Sequence, residues 1–308
     1  MLTQEQLDER LKFLTGSDAG VITKKSKWTT PYQLWEIKTG RRIAEDISGK
    51  NHIKFGNYME PGVAAWFADE SGKEIRVPDG PIYGTGEKSF LMGNLDYLVV
   101  GENAILECKT AYNDSEWGES GTDQIPHQYL MQVAHYCMVG NFDKAYVAVV
   151  FALTREMRWY EYEKNAALEA KLFEYQKRFW ANVKDDIAPD AVDMTDLENM
   201  ISETNIEPVF SSADVEESVF ALAQVKAQIS ALQKQEKELK FSICNEMQEH
   251  ELLVDAVGEK LATWKYQTRR GVPADRLDEL KEVHPKVYDA FVTETKSRTF
   301  KLARRTSE

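Results

Sequence analysis

The run AYVAVVFAL at 145–153 is the longest apolar stretch in the chain, and it restricts the architecture more than any other feature. It has the length of a strand and is about half of what a membrane-spanning helix needs. On its N-terminal side lies HQYLMQVAHYCMVG, a helical pattern introduced by Pro126; on its C-terminal side MRWYEYE reads as a strand and Ala166 to Lys184 as a helix. Upstream, KEIRVP from Lys73, FLMGNLDYLVV from Phe90 and AILECKT from Ala104 read as strands, the last two joined at the turn GEN. Three helices precede them. The order ααα, βββ, α, ββ, α predicts an α/β (α+β) unit, a mixed central sheet flanked by helices.

The three early helices carry recognisable ends. GSDAGV is a helix start in which Ser17 or Asp18 is placed to cap free N–H groups. TPYQLWEIKTG has Pro31 in its first turn and Gly40 as its stop, and NYMEPGVAAWFADESG presents Val63, Ala64, Phe67 and Ala68 on one face before Gly72. We expect this α/β unit over 1–185 and a linker or irregular wrap over 186–212, where Pro189, Pro208 and scattered acids break any periodicity. Over 213–250, Val215, Val219, Leu222, Val225, Ile229, Leu232, Leu239, Ile243 and Met247 recur at spacings of three and four, with Glu236 at one position of the stripe. That pattern predicts a long amphipathic helix, and the charged interruption favours packing against its own chain over a coiled coil between copies. The remaining 251–308 reads as a small basic α/β extension: a hairpin, a helix and a final strand, SRTFKLARR.

Composition excludes several chemistries. Cys108, Cys137 and Cys244 form no CxxC pair, and the five histidines form no HExxH, so a zinc or iron–sulfur site lacks its ligands. The start, MLTQEQLDERLKFL, is acidic and amide-rich where a secretory signal is basic and then apolar, which predicts a cytoplasmic protein without a membrane segment. A net charge of −13 opposes non-specific attraction to nucleic acid. The charge is uneven, however: residues 260–308 carry 12 Lys and Arg against 7 Asp and Glu. Two stretches mix basic and aromatic residues in the way that suits phosphate contact and base stacking: TKKSKW, with Lys24, Lys25 and Trp28, and WKYQTRR, with Lys265, Arg269 and Arg270.

The hairpin GNLDYLVVGENAILECKT poses the chemical question, because it carries charge inside a buried pattern. Side chains alternate along a strand, so Glu107 and Lys109 share a face while Leu106 and Cys108 take the other. A turn near Glu102 sets Asp96 opposite the 107–109 region. Charges so placed need partners or a bound cation. Two readings stay open at this point: a structural ion pair on a solvated sheet face, or a Mg²⁺ site of Asp96, Glu107 and the Cys108 backbone carbonyl, with Lys109 orienting water or steadying charge at phosphorus.

Asp96, ten residues, then Glu-Cys-Lys resembles the PD-(D/E)xK signature, with Leu95 in place of the proline. Together with RLKFLTGSDAG, TPYQLWEIKTG, FGNYMEPGVAAWF, NLDYL, LECKT and IPHQYLMQVAHYCMV, in that order, it is similar to phage recombination exonucleases of the lambda-exonuclease or YqaJ type. The resemblance covers about residues 8–185, and ATWKYQTRR and TKSRTFKL are similar to the C-terminal extension of some phage members. It implies a restriction-endonuclease-like fold, metal binding by Asp96 and Glu107, Lys109 as the catalytic lysine and Glu60 beside the metals. Gln132 and Tyr129 match polar positions of the helix after the core strands, and Arg10 and Ser17 match phosphate contacts; His135 reads as part of a solvated stripe. The implied activity is a Mg²⁺-dependent exonuclease, with two ions and Mn²⁺ able to substitute, that degrades one strand of duplex DNA from a 5′ end. Its implied partners are double-stranded DNA ends, a phage single-strand annealing protein and further copies of itself, a trimer by the resemblance, in a bacterial host. A nicking or site-specific endonuclease of the same fold and a non-catalytic DNA-binding scaffold are the alternatives.

Overall fold

The computed structural model describes residues 9–201, 207–266 and 276–292. Two compact units divide the chain, Met1–Glu203 and Thr204–Glu308.

In the first unit, α1 (Gly16–Ile22) and α2 (Pro31–Lys38) are short, and α3 (Asn51–Ser71) is long. The cap of α1 is Thr15, not Ser17: its N–H donates to Asp18 Oδ2 at 2.9 Å, so Asp18 acts from the third helical position. Thr30 caps α2 in the same way, its hydroxyl accepting from the Gln33 N–H at 3.1 Å with Pro31 behind it. Helix α3 begins six residues before the expected Asn57, because a Lys50 cap and the sequence NHIKFG extend it by more than a turn; it ends at Gly72, where φ is +68°.

Next come β1 (Ile75–Arg76), β2 (Ile82–Tyr83), β3 (Met92–Gly93), β4 (Tyr97–Val99) and β5 (Ala104–Ala111), then α4 (His127–Gly140), β6 (Lys144–Phe151), β7 (Met157–Glu163) and α5 (Ala166–Lys184). The five-stranded sheet runs β1-β4-β5-β6-β7, with only β5 and β6 parallel, joined through α4. The expected single strand from Phe90 is two pieces in two sheets: β3 pairs with β2, β4 with β5, and the chain turns between them at Asn94–Asp96. Strand β2 escaped the sequence reading because two residues carry no period. Strand β1 is shorter than KEIRVP suggested.

Both sheet faces are covered. Val63, Ala64 and Phe67 of α3 pack on Leu106, Cys108, Tyr146, Ala148 and Val150, while Ile105, Val147 and Val149 meet Val133, Ala134 and Cys137 of α4. The segment expected as a linker holds α6 (Met194–Met200). Its Asp196 is fully buried, accepting the Thr30 hydroxyl at 2.7 Å and the Val192 N–H at 3.1 Å, so this wrap is fastened to α2.

In the second unit, α7 (Ala213–Met247) is followed by β8 (Leu252–Val254) and β9 (Lys260–Thr263), an antiparallel pair, and by α8 (Leu277–Val283) and α9 (Pro285–Phe291). The amphipathic stripe does not find the burial expected of it: Val215, Ile229, Leu232 and Leu239 are all exposed, and among the described residues of α7 only Met247 is buried. The final strand SRTFKLARR lies outside the described residues.

Candidate metal and DNA-cleavage site

Tyr97 pairs with Leu106 across β4 and β5, which carries Asp96 to the level of Glu107 as the hairpin geometry predicted. Asp96 Oδ2 accepts the Cys108 N–H at 2.8 Å, so the residue whose carbonyl was expected to serve a metal also fixes the aspartate through its N–H. On β5, Lys109 Nζ donates to Glu107 Oε1 at 2.6 Å. Helix α4 closes the arrangement: Gln132 Nε2 donates to Glu107 Oε1 at 2.8 Å, and Gln132 Oε1 accepts from Lys109 at 3.1 Å. The ammonium also sits 4.7 Å from the centre of the Tyr129 ring, itself stacked on Trp117. Asp96, Glu107, Lys109, Gln132 and Tyr129 therefore form one site. Tyr129 supports the lysine there.

The sequence reading gave no role to Tyr136, one turn after Gln132. Its hydroxyl accepts the second Gln132 amide hydrogen at 3.0 Å, which fixes the Gln132 amide with nitrogen toward Glu107 and oxygen toward Lys109. Its ring lies between two glycines: a Cβ on Gly16 would come within 2.4 Å of it, and one on Gly93 within 2.8 Å. The i,i+4 spacing from Gln132 was the available signal. His135 is no part of a solvated stripe. It is fully buried; because a carbonyl can only accept, its Nε2–H donates to Met92 O at 2.9 Å, and Nδ1 accepts from Gln176 at 2.7 Å.

Charge in this site is out of balance. Burial and the neighbouring Glu107 push the Asp96 carboxyl up to about 8, and the same two causes raise Glu60, on α3. Burial opposes the charged form of Lys109, yet Glu107 and Asp96 outweigh it and raise its pKa. Glu107 is 4% exposed, and its Oε2 has no hydrogen-bond partner. An orphaned carboxylate oxygen beside two acids held above their usual range fits a divalent cation. Among the described residues no three His, Cys, Asp or Glu side chains are drawn together as a closed cage. Mg²⁺ does not need one, since it is commonly held by one or two carboxylates and keeps several waters.

The chain is 36% identical over 313 residues to the protein YqaJ of Bacillus subtilis strain 168, an alignment that spans 97% of this chain and 94% of that relative. The chain belongs to the YqaJ-like viral recombinase family. The YqaJ-like viral recombinase domain itself matches residues 5–143, which contain every residue of the site. Among solved structures, the alkaline exonuclease LHK-Exo from Laribacter hongkongensis superimposes with a TM-score of 0.50 at 16% identity, over 60% of this chain and 94% of that one. A phage-related exonuclease from Haemophilus somnus 129PT matches at 0.43 and 11% identity, over 57% and 96%. The first of these likenesses places the YqaJ-like unit in the exonuclease fold.

Of the remaining candidates of this family member, Arg10, Ser17 and Lys265 have partners of their own. Arg10 Nη2 donates to Ser17 Oγ at 2.8 Å, and Ser17 Oγ lies 3.0 Å from Thr15 Oγ1, so Arg10, Ser17 and the α1 cap form one polar group. Lys24, Lys25 and Trp28 are exposed on the loop after α1, and Trp28 is 82% exposed; the neighbouring Lys27 is paired with Glu116. Lys265 lies in the second unit, 3.4 Å from Glu251. Arg269 and Arg270 lie outside the described residues. Among the described residues no helix is long and apolar enough to cross a membrane.

The charge imbalance has a measurable consequence for stability. If the site takes Mn²⁺, free ion at about 100 times its Kd would stabilise the folded protein by about 2.7 kcal/mol through linkage, or about 5–10 °C in melting temperature for a unit of this size. Asp96→Asn would remove one candidate ligand and the carboxyl whose charged form burial and Glu107 disfavour. We expect its metal-free melting temperature to equal or exceed that of the unsubstituted protein, and the Mn²⁺ increment to shrink to less than half. Scanning calorimetry with and without Mn²⁺ measures both; an undiminished increment would remove Asp96 from the ligand set.

Proposed function

We propose that this protein is a divalent-metal-dependent deoxyribonuclease that shortens linear duplex DNA from its ends, in the 5′ to 3′ direction, as part of phage-type recombination by single-strand annealing. The observation that carries the reading is the half-buried Glu107–Lys109–Gln132 cluster with its orphaned carboxylate oxygen, in a family of viral recombinases. Asp96 and Glu107, with the Cys108 carbonyl, are the residues that would hold Mg²⁺ or Mn²⁺, and Glu60 would support a second ion. Bound there, such ions supply Lewis-acid stabilisation of the attacking and leaving oxygens in phosphodiester hydrolysis.

The chain's own groups set the rest. Gln132 and Glu107 hold the Lys109 ammonium at one place and orientation, so its charge is aimed where negative charge builds on the phosphate oxygens without reorganising as it does so. Tyr129 under the ammonium and Tyr136 behind Gln132 keep it from swinging away. Arg10 and Ser17, at the mouth of α1, are suited to the terminal phosphate of a DNA end, with Lys24, Lys25 and Trp28 tracking the strand beyond.

Digestion of end-labelled linear duplex, with and without a 5′-phosphate, against covalently closed circles of the same sequence tests the assignment in Mg²⁺, Mn²⁺ and EDTA. We expect label released from the 5′ end of linear DNA only, and only with metal. Cutting of closed circles would make the protein an endonuclease, and failure to degrade any DNA would make it a binding scaffold.

A further inference from the structure

Within the second unit, α7 carries an exposed apolar face. Its stripe is heptad-spaced, with Val215, Leu222, Ile229 and Glu236 at one set of positions and Ser218, Val225, Leu232 and Leu239 at the other. The apolar members are 36% to 63% exposed, on a helix of 35 residues, a larger run of apolar surface than isolated exposed side chains account for. At its C-terminal end the helix and β9 form a cavity of about 330 Å³ lined by Leu239, Ile243, Cys244, Met247 and Trp264. Just before its N-terminus, Val209 and Phe210 stand 93% and 97% exposed.

We propose that two copies of this chain associate through α7 in antiparallel register, each placing Val209 and Phe210 in the other's cavity. In antiparallel pairs the two heptad sets face each other. If Val225 lies against Ile229, then Leu222 meets Leu232 and Val215 meets Leu239, and the two polar members, Ser218 and Glu236, meet only each other. The serine hydroxyl can donate to the carboxylate, so neither is left unpaired between the helices. The same register sets residue 210 of one copy at the level of Cys244 of the other, which is where the cavity lies. A parallel pair fails on both counts: Glu236 would face its own copy as buried like charges, and each Phe210 would lie a helix length from either cavity. Lys226 approaches its own copy in the antiparallel pair, but at the wet edge, where water and salt screen it.

Cysteine crosslinking of the full chain tests the arrangement, because Cys244 is already in place and partly accessible while Cys108 and Cys137 are buried. Residues 210 and 244 of one chain are about 50 Å apart along an intact helix, so a bond between these positions has to join two copies. We expect Phe210→Cys to give a disulfide-linked dimer under mild oxidation, and Cys244→Ser in the same chain to abolish it. Ile229→Glu, on the exposed stripe and outside the nuclease unit, is expected to lower the sedimenting mass by a factor of about two. A crosslink that persists without Cys244 would mean parallel helices and overturn the proposal. So would the absence of a crosslink together with a mass unchanged by Ile229→Glu, as when the stripe is covered by its own chain or by a different protein.

Discussion

Lys109→Ala is expected to degrade linear duplex DNA at a rate lower by on the order of 10²–10³-fold, the usual cost of removing one aimed donor from a transition state. The variant also leaves Glu107, 4% exposed, without its ammonium. Removing one partner of a buried pair costs about 3–5 kcal/mol, so the metal-free variant should melt well below the unsubstituted protein. Mn²⁺ then discriminates between roles. A cation seated at the Glu107 oxygens replaces the missing positive charge and returns much of the melting temperature, but it cannot return a group aimed at the phosphate. Stability rescued with the rate still low is the expected pair of results. A rate that recovers in step with stability would reduce Lys109 to a structural counter-ion. Glu107→Gln completes the comparison: it removes charge and ligand together, and we expect Mn²⁺ to rescue neither property.

Those residues were legible in the sequence because strand geometry is periodic. The alternation in AILECKT put Glu107 and Lys109 on one face, and the turn near Glu102 fixed the level of Asp96; both hold in the pairing of β4 with β5. Helices α4 and α5 and strand β7 were readable to the residue, since each has a long amphipathic period or a sharp polar boundary. What could not be read depends on contacts between distant segments. His135 looks like a surface polar residue by spacing, and only the approach of Gln176, 41 positions away, and of the Met92 carbonyl makes it a core group. Asp196 likewise reads as one more acid in an acidic linker until Thr30 is found beside it. Tyr136 needed knowledge that Gly16 and Gly93 bracket its ring. The stripe on α7 was plain from its spacing, but spacing alone does not say what covers it.

The largest stability effect outside the metal site is expected at Lys38, a residue that reads from the sequence as one more basic side chain in the last turn of a short helix. Its ammonium is buried and donates to three acceptors: Asp18 Oδ2 at 2.8 Å, Arg10 O at 2.8 Å and Phe13 O at 2.7 Å. Every N–H of the ammonium is thus used, and the segment carrying Arg10 is tied to α1 and α2. Burial works against the charged form of Asp18, but the Lys38 charge and hydrogen bond overcome it and hold its carboxyl below the usual aspartate range. A carboxyl with a lowered folded pKa stabilises the protein above its unfolded pKa, and that contribution is lost as pH falls through the folded value. The Asp18–Lys38 pair should therefore be intact at neutral pH, begin to weaken below the unfolded aspartate value of about 4, and be lost only as pH falls through the lower folded value. Lys38→Met keeps the aliphatic stem and removes the charge, stranding Asp18 and two carbonyls; the expected loss is about 3–5 kcal/mol at pH 7, read from urea unfolding. Below the folded Asp18 value the difference between Lys38→Met and the unsubstituted protein should close, because Asp18 is then neutral in both. Arg10 loses its anchored backbone in the same variant, so preference for 5′-phosphorylated over unphosphorylated ends should fall as well, while cleavage of whatever DNA is bound should survive, since Glu107, Lys109 and Gln132 are not touched. A Lys38→Met protein with unchanged stability and unchanged end preference would mean that neither the ion pair nor Arg10 has the role assigned to it.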